Sequence, residues 1–264
     1  MNASTPAEPY VLRVDARGVS TLTLNRGNQF NALSRAMIGA LQTELDAIAA
    51  DPALRVVVIA GAGKAFCAGH DLKEMRANHD QAFMQDLFRS CGRMMMSLTQ
   101  MPQPVIARVH GIATAAGCQL VSMCDLAVAA ESARFATSGI NVGLFCATPA
   151  VGLSRNLGRK QALEMLLTGD FIDAPTALQQ GLVNRVVASD ALDAEVGLLA
   201  QAILAKSSVA IGMGKKMFYR QLEMGLEAAY QYASEVMACN MMTEDAAAGI
   251  DAFIGKRQVE WKGR

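Results

Sequence analysis

Apolar and polar residues alternate over residues 11–14 and 21–24, on either side of Asp15-Ala16-Arg17-Gly18. A period of two around a turn-forming centre predicts a β-hairpin. After a polar loop over 25–31, Met37, Ile38, Leu41, Leu45 and Ile48 recur at helical spacing behind Ser34, an expected helix cap, until Asp51-Pro52 stops the run. Largely apolar runs at Val56-Val57-Val58-Ile59, Val105-Ile106-Ala107-Arg108-Val109 and Leu126-Ala127-Val128-Ala129 predict buried strands. Residues 72–101 are Met-rich and helical in pattern, with Phe83, Leu87, Met94, Met95 and Leu98 on one side. Such a stripe serves as core packing or as the wall of a ligand pocket. Further on, 139–152 reads as a loop, 159–167 as a helix, 175–180 as a short helix ended by Gly181, and 183–187 as a strand. From about Ala191 the pattern is helical throughout. Mixed strands and helices followed by helices alone predict an α/β core to about residue 205 and a helical appendage over 206–264.

Two strand-to-helix junctions carry unusually small residues. One is Ala65-Phe66-Cys67-Ala68-Gly69-His70-Asp71-Leu72-Lys73, read as following the first buried strand; the other is His110-Gly111-Ile112-Ala113-Thr114-Ala115-Ala116-Gly117-Cys118-Gln119-Leu120, following the second. The first N–H groups of a helix lack internal partners and sit at the positive end of its dipole. With Ala115, Ala116 and Gly117 there, no side chain keeps a ligand oxygen away. The turn therefore suits phosphate, carboxylate or the enolate oxygen of a thioester. The alternative is close helix–strand packing without a ligand. Gly61-Ala62-Gly63-Lys64 invites a nucleotide reading, which fails because Ala65 supplies no hydroxyl for magnesium and the glycine spacing fits neither phosphate fingerprint. Asp71 begins a helix and is expected to cap it.

Composition narrows these options. At 264 residues with 52% hydrophobic and 18% charged positions, the chain can bury a large core and leans towards an oligomer. Lys plus Arg and Asp plus Glu balance at 24 each without a basic tract, so nucleic acid is not an expected partner. No apolar stretch reaches the roughly 18 residues of a membrane helix, so no membrane partner is expected. Residues 1–10 lack a basic region followed by an apolar run, and a cytoplasmic location is expected. The 6 cysteines form no CxxC pair, which predicts reduced thiols and no metal site.

The two turns, with Asn31-Ala32-Leu33, Leu167-Thr168-Gly169-Asp170 and Ala252-Phe253-Ile254-Gly255-Lys256-Arg257, make nearly the whole chain resemble the enoyl-CoA hydratase/isomerase (crotonase) superfamily. The run from Ala113 to Leu120, with Gly143-Leu144-Phe145-Cys146, is similar to its subgroup called enoyl-CoA hydratase domain-containing protein 3. The resemblance implies an α/β fold with a crotonase (ClpP-like) β/α spiral core, residues 1–205, and a C-terminal helical trimerisation region, 206–264. It implies a homotrimer or a dimer of trimers. It implies an acyl-CoA thioester as ligand, with coenzyme A part of the substrate and no separate cofactor. The backbone N–H groups of His70, just after Gly69, and of Ala116, just before Gly117, would form an oxyanion hole. Ala68 would meet the adenine through backbone groups and Lys73 would lie near the CoA phosphates. Phe253 and Lys256 would reach the ligand of a neighbouring subunit. Lysines at these two positions have ordinary solvated surface as their alternative. A family lysine before Asn31 corresponds here to Asn28, so one phosphate contact is expected to be missing.

The catalytic acids of the resemblance are absent. A hydratase of this family holds its water between two carboxylates, and here those positions are Gln119 and Gly139. An amide does not exchange protons usefully near neutral pH, so efficient hydration by that route is not expected. Restoring Gln119→Glu with Gly139→Glu is expected to raise it if the pocket is otherwise competent. Asn141 and Cys146 stand where other branches carry an Asp; the first is a candidate hydrogen-bonding wall, the second a candidate thiol acid/base or an inert thiol. The His70 ring is a further candidate. His110 is expected to be a satisfied core histidine, His79 a surface residue, and Ser138 lacks an evident base. Two functions remain open: a crotonase-type enzyme using substitute groups, and a non-catalytic acyl-CoA binder.

Overall fold

The computed structural model describes residues 8–264. Most of the N-terminal stretch 1–10 used for the export expectation therefore lies outside the described residues.

The hairpin forms as expected: β1 (Val11–Ala16) and β2 (Val19–Leu24) pair antiparallel across Arg17 and Gly18, both at positive φ (49° and 80°). α1 (Arg35–Ala49) starts where Ser34 accepts the Met37 N–H at 3.2 Å, and buries Met37, Ile38, Leu41, Leu45 and Ile48. Next come β3 (Val56–Gly61), β4 (Ala65–Cys67), α2 (Leu72–Ala77) and α3 (Gln81–Gln100). The helical pattern over 72–101 is thus two helices, because Asp80 caps a new start by accepting the Phe83 N–H at 2.9 Å. The Met stripe is core: Leu87, Met94, Met95 and Leu98 are buried.

β5 (Val105–Val109), β6 (Ile112–Thr114), α4 (Ala116–Met123), β7 (Leu126–Ala130) and β8 (Arg134–Ala136) follow. Then α5 (Ala147–Asn156), α6 (Arg159–Thr168), β9 (Ile172–Asp173), α7 (Ala174–Gln180) and β10 (Arg185–Val187) complete the sheets. The segment 139–152, expected as a loop, is a short 3-10 turn over Ser138–Val142 and the start of α5. Helices α8 (Leu192–Leu204), α9 (Ser208–Gln221), α10 (Leu226–Met241) and α11 (Glu244–Ile254) end the chain.

Two sheets organise the fold. The larger runs β1-β2-β3-β5-β7-β10, parallel except at β1; the smaller runs β4-β6-β8-β9, parallel except at β9. Three successive coils, begun by β3, β5 and β7, each give one strand to the large sheet, the next (β4, β6, β8) to the small sheet, and then helices. Alternate residues of β3 explain its continuous apolar run: Val57 and Ile59 face the main core, while Val56 and Val58 face Leu192, Val196 and Ala200 of α8. α9 is tied to the core by Lys215, whose Nζ donates to the Leu98 carbonyl (2.6 Å), the Gln103 carbonyl (2.7 Å) and Asp125 Oδ2 (2.6 Å). Among the described residues no single helix is long and apolar enough to cross a membrane.

Candidate active site

The two small-residue turns do not spring from the large-sheet strands, as their position after β3 and β5 suggests, but from the short strands β4 and β6 that follow. These two strands are parallel neighbours, Ala65 opposite Ile112 and Cys67 opposite Ala113. Pairing brings their ends together. A Cβ on Gly69 would lie 2.8 Å from Ala115 Cβ and 3.2 Å from Ala116 N, so glycine, at φ +93°, is what allows the contact. A Cβ on Gly117 would overlap the Cys67 carbonyl, which requires a bare Cα where α4 crosses β4.

Local backbone bonds hold both turns. The Leu33 N–H donates to the Gly69 carbonyl at 2.7 Å, and the Ala68 N–H to the Phe30 carbonyl at 2.9 Å. Asn31, buried at φ 54°, donates through Nδ2 to the carbonyls of Ala62 (2.8 Å), Ala65 (2.9 Å) and Phe66 (3.1 Å). The Asn31-Ala32-Leu33 motif is therefore the buttress of the first turn. In the second turn Ala115 sits at φ 50°, ψ −121°, a conformation that costs a non-glycine residue about 1–3 kcal/mol. Its N–H donates to the Ala136 carbonyl at 3.0 Å, and its carbonyl accepts the Gln119 N–H at 3.0 Å. Among the described residues neither the His70 nor the Ala116 N–H has a backbone acceptor.

Both turns open on one cavity of about 310 Å³. His70, Ala115 and Ala116 form one wall; Ser138, Gly139 and Cys146 lie in another; Leu72, Met75, Phe88, Val142, Leu144 and Phe145 make the remainder largely apolar. Phe88 was not singled out by sequence reasoning, because on an amphipathic helix a cavity-facing aromatic looks like one more core residue. It packs edge-on to the His70 ring, with centroids 5.2 Å apart and planes at 89°. His70 Nε2 is buried without a hydrogen-bond partner, and burial pushes the ring down to about 4, so the imidazole is neutral at pH 7. Thr114 Oγ1 and Ser138 Oγ share a 2.7 Å hydrogen bond.

At the two positions where the resemblance implies acids the structure differs in kind. Gln119 is buried, does not line the cavity, and its Oε1 has no partner among the described residues. At Gly139, a Cβ would lie 2.7 Å from Cys146 Sγ and 2.7 Å from the Leu144 carbonyl oxygen. The thiol and that carbonyl fill the room a side chain would need, which corrects the expectation that Gly139→Glu simply restores an acid. Burial pushes the Cys146 thiol up from its ordinary value, partly offset by a hydrogen bond with the Gly139 backbone. Asn141 is exposed, with its amide beside Gly169 rather than on the cavity wall.

The remaining candidates lie outside the cavity. Asp71 caps α2, accepting the Lys73 N–H at 2.9 Å and the Glu74 N–H at 3.1 Å. Lys73 is exposed on the first turn of α2; Ala68 is half-buried with only its carbonyl uncommitted. Phe253 is 85% exposed at the end of α11, and Lys256, at φ 49°, is exposed just beyond it. His110 is half-buried, with Nε2 3.0 Å from the Gly63 carbonyl but Nδ1 unpartnered, so it is only half satisfied; His79 is exposed. Five cysteines are buried and free, Cys239 is exposed, and the described residues contain no cluster suited to a metal ion.

Comparison with known proteins identifies the family and the fold. The family model described as enoyl-CoA hydratase/isomerase matches residues 15–264. The chain is 44% identical over 253 residues to enoyl-CoA hydratase domain-containing protein 3, mitochondrial, of Xenopus laevis, covering 96% of this chain and 86% of that protein. The human protein of the same name is 42% identical, with 92% and 80% covered. Both are named as mitochondrial, which overturns the cytoplasmic location expected from the sequence. Among solved structures, an enoyl-CoA hydratase of Mycobacterium smegmatis is 58% identical with a TM-score of 0.95, over 96% of this chain and 99% of that one. Human enoyl coenzyme A hydratase domain-containing protein 3 superposes with a TM-score of 0.93 at 41% identity, over 96% and 100%. The fold is the crotonase fold, and the chain belongs to the enoyl-CoA hydratase/isomerase family.

Proposed function

We propose that this protein is an enzyme that binds an acyl-CoA thioester and stabilises its enolate, with the thioester oxygen accepting hydrogen bonds from the N–H groups of His70 and Ala116. The observation that carries the reading is the contact between the two turns, where Gly69 lies against Ala115 and Ala116 at the edge of one cavity. Two fixed donors aimed at a developing negative charge are each worth about 10²–10³ in rate. The apolar walls take the acyl group, and coenzyme A enters as part of the substrate, so no separate cofactor is assigned. The ribonucleotide end lies along Ala68 and Lys73. Phe253 and Lys256 serve the ligand of an adjoining subunit in a homotrimer or dimer of trimers, which accounts for an aromatic side chain left 85% exposed.

Hydration in the family manner is not assigned, because no carboxylate lines the cavity among the described residues. That same fact favours one second reading, a non-catalytic acyl-CoA binder. Incubation with crotonyl-CoA in heavy water, followed by mass spectrometry of the CoA species, separates them. Hydrated product, or deuterium in recovered ester, supports the enzyme. An unchanged ester that binds supports the binder, and absence of binding contradicts both.

A further inference from the structure

We propose that the imidazole of His70 is the proton-transfer group of the site, removing and returning a proton at the α-carbon of the bound acyl thioester. This inference rests on the acyl-CoA reading above and assigns the step that the missing glutamates leave without a residue.

Three observations converge on this ring. His70 occupies two roles in space: its N–H belongs to the first turn, and its side chain lines the same cavity. A thioester whose carbonyl oxygen is held at that N–H has its α-carbon, one bond beyond the carbonyl carbon, in the cavity that the ring lines. The ring keeps one nitrogen open: Nε2 is buried, whereas Nδ1 is neither buried nor hydrogen-bonded among the described residues, so Nδ1 is the ring nitrogen available to a ligand in the cavity. Finally, Phe88 packs edge-on against the ring and limits its rotation.

Competing groups are few. Of the residues lining the cavity, only His70 and Cys146 titrate. The thiol is held protonated by burial, whereas the imidazole is held neutral by burial, with no charged group contributing to its shift. At about 4, its basicity matches that of an ordinary glutamate, about 4.3. The step balances without any co-reactant. The Cα–H bond breaks, the proton forms an N–H bond on the ring, and the electron pair moves onto the carbonyl oxygen facing the two backbone donors. The imidazolium and enolate then form an ion pair in an apolar cavity, which stabilises both until the proton returns.

Substitution at position 70 leaves the backbone N–H in place and so separates the ring from the oxyanion hole. The test follows deuterium uptake at the α-carbon of butyryl-CoA in heavy water, with butyryl-CoA binding measured by calorimetry on the same samples. Wild type is expected to exchange; His70→Gln and His70→Asn are expected to bind within a few-fold of wild type and to exchange about 10²–10⁴-fold more slowly. His70→Ala is expected to regain exchange when free imidazole is added, which a merely structural role would not produce. Wild-type exchange should be flat from neutral pH upward, the ring being already neutral. Binding without exchange in wild type overturns the inference while sparing the acyl-CoA reading. So does unchanged exchange in His70→Gln, or a rate that climbs into the alkaline range and vanishes in Cys146→Ala, which would hand the role to the thiol. Absence of binding in wild type overturns the reading and the inference together.

Discussion

The two walls of the cavity were built from different parts of the chain's chemistry. On the wall of Gly69, His70, Ala115 and Ala116, the working groups are peptide N–H groups, and the side chains need only be small enough to stay out of the way. The resemblance places its working side chains at two other positions: Gln119, buried on α4 and outside the cavity lining, and Gly139 on the wall shared with Cys146, where Cys146 Sγ and the Leu144 carbonyl fill the side-chain space. A backbone site survives substitution as long as the turn survives. A side-chain site does not. On the function proposed above, the contrast allows an enolate to be stabilised where no carboxylate lines the cavity among the described residues to activate water.

Disturbing the backbone wall has the largest expected effect. Gly69→Val puts a branched side chain at φ +93°, 2.8 Å from Ala115 Cβ at its first carbon, and forces the turns apart. Positive φ and overpacking together are expected to cost about 2–5 kcal/mol in chemical denaturation. Any enolate-dependent rate is expected to fall at least about 10²-fold.

Acidification probes the point where the two kinds of chemistry meet, His70. Its ring titrates near 4 in the folded protein and at its ordinary 6.5 when unfolded, so the unfolded chain takes up a proton first as pH falls. Stability should be full above about pH 6.5 and decline towards pH 4 by up to about 3 kcal/mol, since each unit of difference is worth about 1.4 kcal/mol. His70→Gln should flatten that part of the profile in pH-dependent melting.

The facing wall sharpens the contrast in the opposite sense. The double variant Gln119→Glu with Gly139→Glu is expected to gain no hydration of crotonyl-CoA, because the Leu144 carbonyl stands 2.7 Å from the new Cβ and cannot withdraw as a flexible side chain could. A loss of about 1–3 kcal/mol in stability should accompany it. Hydration appearing in that variant would show that the loop over 139–146 yields more readily than its packing indicates.

The smallest effect belongs to Ala115→Gly. Relief of the φ 50°, ψ −121° conformation outweighs the extra entropy of glycine in the unfolded chain, for a net gain of about 1 kcal/mol in thermal or chemical denaturation. A loss of stability would mean that the turn is not strained.

Most of the architecture was legible because period and capping are local. The hairpin, the Ser34 cap, the strands of the large sheet and the final helices follow from residues close together in the chain. What escaped notice was non-local or short. Strands β4 and β6, three residues each, are too brief to show a period, so the turns were attached to the wrong strands, one sheet away. The break between α2 and α3 hinges on a single Asp80 cap inside an otherwise helical pattern. The residues of both turns were identifiable from their size, and Gln119 and Gly139 as the positions of the family's acids from the resemblance alone. That Cys146 fills the space at Gly139, that Asn141 turns away, and that Phe88 meets His70 depend on side chains brought together across the fold, which no spacing rule encodes.

An enolate can be stabilised here only if the two turns bind the thioester oxygen. Calorimetric titration with butyryl-CoA and with its thioether counterpart, S-butyl-CoA, isolates that oxygen, since the two ligands share the nucleotide, the pantetheine arm and the four-carbon chain. Two backbone hydrogen bonds at about 0.5–1.5 kcal/mol each predict that the thioester binds roughly tenfold more tightly, and that Gly69→Val erases the difference. Equal affinities in the native protein would contradict the oxyanion hole.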